Sequence, residues 1–134
     1  MKLNNKNKIV VKISLLALIL VSMIGCSSKE ETYNNIDGKQ TQELINNTED
    51  LLVVDVRSKE DYDNGHIEGS INIPYDEFES RISEIKEYKD KTVLLYCTSG
   101  NKSEKDSKIL AKKGFKNVYN ATDGVAEYDY KLVK

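Results

Sequence analysis

The residue of this sequence whose type and position best suit it to chemistry is Cys97. It follows the apolar run 92–96 and opens a glycine-containing loop, residues 98–103, that leads into a predicted helix. A cysteine reacts as the thiolate, so its reactivity depends on what lowers its pKa. The backbone N–H groups of such a loop can converge on an anion, a helix start adds a positive dipole end, and Lys102 adds a full charge. The sequence therefore predicts a reactive Cys97, with a buried and inert thiol as the alternative.

The size of these effects is sufficient for that prediction. Lowering a thiol pKa from about 8.5 to about 7 takes roughly 2 kcal/mol. A helix start supplies about 0.3 to 1 kcal/mol, and up to about 2 kcal/mol in partly buried geometry. We expect Ser103 to cap this helix, which places the helix start next to the thiol.

The other candidate residues have structural interpretations. His66 is the only histidine, and one histidine with one cysteine cannot form a closed zinc site, so we predict no metal and a bracing role at the turn before Ile67. Asp55 and Arg57 flank Val56 at a strand end and favour an ion pair that braces the loop. The remaining charged clusters are interpreted as solvated surface: Glu60, Asp61, Asp63, Lys112 and Lys113.

The elements that must position Cys97 alternate between strands and helices. The β-branched runs 51–56 and 92–96 are typical of strands buried on both faces. Shorter strands are predicted at 33–37, 71–73 and 117–120, and helices at 58–62, 76–88, 103–114 and 125–130. Alternating strands and helices indicate an α/β fold with a parallel sheet and helices on both faces, and ligands bind at the carboxyl edge of such sheets.

The first 25 residues differ from the rest of the chain. They hold four lysines, no acidic residue and an apolar stretch from Ile13 to Gly25, which is shorter than the roughly 18 residues of a transmembrane helix. The stretch ends at Gly25-Cys26, which resembles the signal of bacterial lipoproteins, in which Cys26 is lipidated. We therefore expect a signal peptide at 1–25, a polar tether at 26–32 and one domain at 33–134. A plain secretory peptide or an uncleaved anchor is the alternative.

Lipidation at Cys26 would hold the protein on the outer face of the bacterial cytoplasmic membrane. Removal of the signal leaves 16 basic and 22 acidic side chains, a formal charge of −6, which argues against a nucleic-acid partner. Cys97 would then be the only free thiol, so no intramolecular disulfide could form. An unpaired thiol in an oxidising compartment favours use of that thiol.

The loop from Cys97 to Ser103 resembles the active-site loop of single-domain rhodaneses, commonly written Cys-Arg-Ser-Gly-Asn-Arg-Ser. Other segments resemble this family in the same order along the chain: residues 54–57, 65–74, and 114–119. The resemblance implies a three-layer fold with a five-stranded parallel sheet. It also implies that Cys97 carries sulfur as a persulfide between a donor such as thiosulfate and a thiol or cyanide acceptor.

The resemblance further implies roles for the loop residues. Thr98, Ser99, Gly100, Asn101 and Ser103 would steady the charged persulfide through their amides, and Lys102 would help to bind a small anionic donor. No cofactor is expected, and the chain is expected to act as a monomer.

Two departures from the family loop concern charge. Thr98 and Lys102 stand where the common form has arginines, so the loop has lost one charge and the bidentate grip of a guanidinium. Towards the C-terminus, Asp123 and Tyr128 replace a glycine and a tryptophan, which affects packing.

Other functions remain open at this point. A catalytically weak rhodanese-like binding module at the membrane is the alternative that the reduced loop charge favours. A phosphatase is disfavoured because only four residues separate Cys97 from Lys102, whereas phosphatase loops have five residues before an arginine. A dithiol oxidoreductase would need a second, resolving cysteine.

Overall fold

The computed structural model describes residues 32–134, which form an α/β fold built on a five-stranded parallel sheet. Its strands are β1 (Asn34–Ile36), β2 (Leu52–Asp55), β4 (Ile71–Asn72), β5 (Thr92–Tyr96) and β6 (Asn117–Ala121), in the order β1-β6-β5-β2-β4. All four pairings are parallel. The central strand β5 therefore lies between β6 and β2, and the carboxyl ends of the three strands lie at one edge.

Helices cover both faces of the sheet because alternate residues of the central strands are apolar on either side. Val93 and Leu95 point into one core, and Leu94 and Tyr96 point into the other. The helices are α1 (Gly38–Asn47), α2 (Lys59–Asn64), α3 (Phe78–Arg81), α4 (Asn101–Lys112) and α5 (Gly124–Glu127). Residues of α3 and α4 belong to the first core, and residues of α1 and α5 to the second.

The predicted helix 76–88 is wrong in its detail. Residues Tyr75–Glu77 and Ile82–Tyr88 form 3-10 turns on either side of the four-residue α3, and Ile85 has non-helical backbone angles. Phe78 and Ile85 are nevertheless buried. The spacing of apolar residues in 76–88 correctly indicated which face of this segment is buried. A succession of 3-10 and α turns can bury the same face as one continuous helix, so the spacing did not distinguish the two.

One further expectation needs correction, and one small sheet was not expected. The last helix is shorter than predicted and ends at Glu127. The C-terminal residues Leu132–Val133 (β7) pair antiparallel with His66–Ile67 (β3), a second small sheet that the sequence did not predict. With two residues on each strand, this pair is too short for an alternating pattern.

No helix within residues 32–134 is long and apolar enough to cross a membrane. The predicted signal peptide at 1–25, the lipidation site Cys26 and the tether up to residue 31 lie outside the described residues.

Candidate active site

Cys97 is the residue immediately after β5, and its sulfur lies at the floor of a cavity at the carboxyl edge of the sheet. Only 3% of Cys97 is exposed, so a reactant reaches the sulfur through this cavity. The cavity has a volume of about 300 Å³. Eight residues line it: Arg57, Ser58, Asp61, Cys97, Thr98, Ser99, Asn101 and Lys102.

Hydrogen-bond donors converge on the sulfur. The backbone N–H of Gly100 donates to Sγ of Cys97 at 3.1 Å, and Oγ of Ser103 lies 3.3 Å from the same sulfur. Burial raises the pKa of the Cys97 thiol and is the largest single influence, but the hydrogen bonds outweigh it. The Ser103 hydroxyl and the backbone N–H groups of Ser103, Ser99 and Lys102 bring the pKa below its ordinary value. The loop therefore stabilises negative charge on the sulfur.

The helix behind the loop begins closer to Cys97 than predicted. Helix α4 starts at Asn101, and its N-cap is Gly100 in a left-handed conformation with φ +83°. A Cβ at this position would overlap the carbonyl oxygen of Thr122, so a glycine is needed for both reasons. Ser103 lies within the first turn instead of capping it, which turns its hydroxyl towards the sulfur.

The start of α5 holds the other side of the loop. The N–H groups of Val125 and Ala126 donate to the carbonyl oxygens of Cys97 and Thr98 at 3.1 and 3.0 Å. Gly124, with φ +55°, precedes them, and a Cβ there would overlap the Thr98 carbonyl. Because the loop carbonyls bond to α5, the loop N–H groups are left to face the sulfur.

Ser103 is held by a chain of two side-chain amides, the buried Asn120 and the exposed Asn35. Its hydroxyl donates to Oδ1 of Asn120 at 2.6 Å, and the Asn120 amide donates to Oδ1 of Asn35 at 2.8 Å. A hydroxyl has a single proton, which can go either to Asn120 or to the sulfur. With the thiol present, the sulfur can donate to Oγ of Ser103; with the thiolate present, the Ser103 hydroxyl can turn its proton to the sulfur.

Arg57 and Asp55 form a buried ion pair, the arrangement that the sequence favours. Nη2 of Arg57 lies 2.6 Å from Oδ2 of Asp55, which is fully buried, and it also donates to the carbonyl of Gly65 at 2.7 Å. The Arg57 guanidinium stands 5.6 Å from the centre of the Tyr96 ring. Arg57 also lines the cavity, so the pair joins the site to the turn at Gly65.

Lys102 and His66 take different positions relative to the site. Lys102 is exposed on the cavity wall, with Nζ 5.5 Å from the centre of the Tyr75 ring. His66 does not line the cavity; it stacks on Tyr62 at 3.8 Å, and its Nδ1 lies 2.8 Å from the Tyr62 carbonyl. These contacts fit a bracing role. No group of three or more potential metal ligands occurs within residues 32–134.

Sequence reasoning missed three residues of the site. Ser58 and Asp61 line the cavity, although Asp61 was assigned to the solvated surface, and Asn120 positions Ser103. Ser58 and Asp61 follow β2 and Asn120 is near the end of β6, the two neighbours of β5 in the sheet. Their place after the strands beside Cys97 is the signal that could have found them.

These features match those of a known family. A family model described as the rhodanese-like domain matches residues 30–131. The chain belongs to the rhodanese-like domain family. Its fold agrees with this: a rhodanese-like domain protein from Staphylococcus aureus superposes with a TM-score of 0.66 at 21% identity, covering 75% of this chain and 96% of that one. The fold expected from the resemblance is thus confirmed.

Two further relatives of this rhodanese-like domain bear on its chemistry. A rhodanese from E. coli, solved with anions, is 33% identical with a TM-score of 0.56, covering 63% of this chain and 98% of that one. A protein of Photorhabdus laumondii named tRNA uridine(34) hydroxylase is 35% identical over 102 residues, which are 73% of this chain and 29% of that protein. The chain thus spans about 30% of the length of the curated relatives it matches. The name of these relatives, tRNA uridine(34) hydroxylase, is that of an enzyme.

Proposed function

We propose that this rhodanese-like protein is a sulfurtransferase or sulfur carrier that moves sulfane sulfur through a persulfide on Cys97. The proposal is carried by the hydrogen bond from the Gly100 N–H to the Cys97 sulfur at the floor of an open cavity. The same donors that favour a thiolate can hold the terminal sulfur of a persulfide, because both are sulfur anions.

The reaction needs two displacements. The Cys97 thiolate attacks the outer sulfur of a donor such as thiosulfate, the sulfur–sulfur bond of the donor breaks, and sulfite leaves with the electron pair. The persulfide is then attacked at its terminal sulfur by a thiol or cyanide, which restores the Cys97 thiolate. Lys102 on the cavity wall attracts an anionic donor.

The place of action that we propose is the outer face of the cytoplasmic membrane, with the domain tethered through a lipid on Cys26. The support is the N-terminal sequence: a basic segment, a short apolar stretch and the Gly25-Cys26 pair. Metabolic labelling with a fatty-acid analogue should mark the protein, and Cys26→Ser should abolish the label.

The activity is tested with the full-length chain purified in detergent. Wild type should load one sulfur atom onto Cys97, seen by mass spectrometry after donor treatment, and should form thiocyanate from thiosulfate and cyanide. Cys97→Ser should do neither. If wild type forms no persulfide with any sulfane donor, the alternative function, a catalytically weak rhodanese-like binding module located at the membrane, would be favoured.

Action on tRNA is a second candidate, favoured by the name of the curated relatives and by one feature of α4. Five lysines on or just after this helix are exposed: Lys102, Lys105, Lys108, Lys112 and Lys113. Against it stand the net charge of the whole chain, −2, and the proposed export. A tRNA binding titration decides: salt-dependent micromolar binding lost in a variant with Lys105, Lys108 and Lys112 changed to Gln would favour this candidate over our prediction of no nucleic-acid partner.

A further inference from the structure

The cavity above Cys97 carries one positive and one negative side chain that form no ion pair with any residue of the described range, 32–134. Lys102, on the first turn of α4, and Asp61, on α2, are both exposed and both line it. Arg57 is the third charged lining residue, but its charge is offset by the buried Asp55 at 2.6 Å. Without the charge on the Cys97 sulfur at the floor, the walls of the cavity therefore sum to about zero charge, with the two signs on separate elements.

A small dianion is a poor match for these walls. Thiosulfate would gain from Lys102 but would meet the carboxylate of Asp61, and Thr98 supplies no charge that compensates. Opposite charges on a cavity wall instead complement a ligand that carries both signs.

The carboxylate of Asp61 and the ammonium group of Lys102 each have capacity to bind a charged group of such a ligand. The Ser58 hydroxyl donates to Oδ2 of Asp61 at 3.0 Å, and among the described residues Oδ1 of Asp61 has no donor. Lys102 contacts the face of the Tyr75 ring and is in no ion pair within residues 32–134. An ammonium group of a ligand can therefore bind to Oδ1 of Asp61, and a carboxylate group of the same ligand can bind to Nζ of Lys102.

We propose that the favoured sulfur donor is a zwitterionic amino-acid persulfide, such as cysteine persulfide, whose ammonium group pairs with Asp61 and whose carboxylate pairs with Lys102. This rests on the proposed sulfurtransferase function and names its substrate class. A cavity of about 300 Å³ lies at the lower end of the range for small-molecule sites, which suits a molecule of this size.

The transfer balances without another reactant. The Cys97 thiolate attacks the terminal sulfur of the protonated persulfide, a new sulfur–sulfur bond forms, and the bond between the two donor sulfurs breaks. The electron pair leaves on the inner sulfur, which departs as the thiolate of the amino acid. The terminal proton remains on the Cys97 persulfide until it is lost to water.

The test compares three donors on the full-length chain: cysteine persulfide, N-acetylcysteine persulfide, which lacks the ammonium, and thiosulfate. Wild type should show a kcat/KM for cysteine persulfide about tenfold or more above that for the acetylated donor, the effect expected of one charge-assisted contact. Asp61→Asn should lower the value for cysteine persulfide about tenfold and should raise the values for the acetylated donor and for thiosulfate, because both are net anions that the Asp61 carboxylate repels. Glu60→Gln, an exposed carboxylate of the same helix outside the cavity, is the matched control and should change none of the three.

The outcomes separate this proposal from the function on which it rests. Equal use of the two persulfides by wild type and by Asp61→Asn, with normal loading of Cys97, would overturn the donor proposal and leave the sulfurtransferase intact. Failure of all three donors to load Cys97 would overturn both.

Discussion

The hydroxyl oxygen of Ser103 lies 3.3 Å from the sulfur of Cys97, six residues earlier in the chain. The helix start at Asn101 and the bond to Asn120 fix the position of this oxygen. The hydroxyl donates its one proton to Asn120 here and can turn it to a thiolate or a persulfide. The chemistry of the site therefore depends on where α4 begins, and a shift of this helix start would remove the hydroxyl from the sulfur.

Ser103→Ala should raise the pKa of the Cys97 thiol, because the hydrogen bond to the Ser103 hydroxyl, the strongest of the contacts that lower this pKa, is lost. The rate of alkylation against pH measures it. Ser107→Ala is the matched control, since its buried hydroxyl bonds to the Ser103 carbonyl without touching the sulfur. An equal shift in both variants would mean that helix packing, and not the Ser103 hydroxyl, sets the pKa.

Gly124→Ala should slow alkylation of Cys97 about tenfold or more. The new Cβ would collide with the Thr98 carbonyl and displace the loop from α5. Gly114→Ala is the control: its φ is also positive, +89°, but no atom lies within 4 Å of the new Cβ. It should cost about 1 kcal/mol of stability and leave the alkylation rate unchanged. Loss of reactivity in Gly114→Ala as well would contradict this account of the loop.

Asp106→Asn should stabilise the protein at pH 8 and have little effect at pH 4. Asp106 is buried on α4; its burial, with a smaller contribution from the charge of Glu79, raises its pKa to about 7. The folded state thus binds a proton more tightly than the unfolded state, where the pKa is about 4. Stability is therefore lost as pH rises from about 4 to 7.

The gain for Asp106→Asn at pH 8 should be about 1 to 3 kcal/mol, read as a higher Tm. Glu87→Gln, an exposed change of the same charge, serves as the control. A Tm difference between Asp106→Asn and wild type that is the same at both pH values would show that the Asp106 charge is not the cause.

The sequence predicted the parts of this structure that depend on local pattern. The β-branched runs before Val56 and Cys97 marked the two central strands, because residues buried on both faces leave a continuous apolar signal. The place of Cys97 at the carboxyl end of β5 followed from that. The ion pair of Asp55 and Arg57 could also be predicted from the sequence, because the two residues are only two positions apart.

The parts that sequence did not predict depend on distant contacts. The left-handed Gly100 is required by the Thr122 carbonyl, and the chain from Ser103 through Asn120 to Asn35 joins residues 85 positions apart. Asp61 appears as an ordinary surface carboxylate until α2 is folded over the end of β2 and the residue faces the cavity. Such relationships arise from tertiary packing and leave no periodic pattern.

The central claim is that hydrogen-bond donors converge on the Cys97 sulfur and hold negative charge there. The alkylation rate of Cys97 in the full-length protein, measured against pH, tests it most directly, with Cys97→Ser as the blank. We predict a midpoint below about 8.5, the ordinary value for a cysteine thiol. A midpoint at or above that value would contradict the claim.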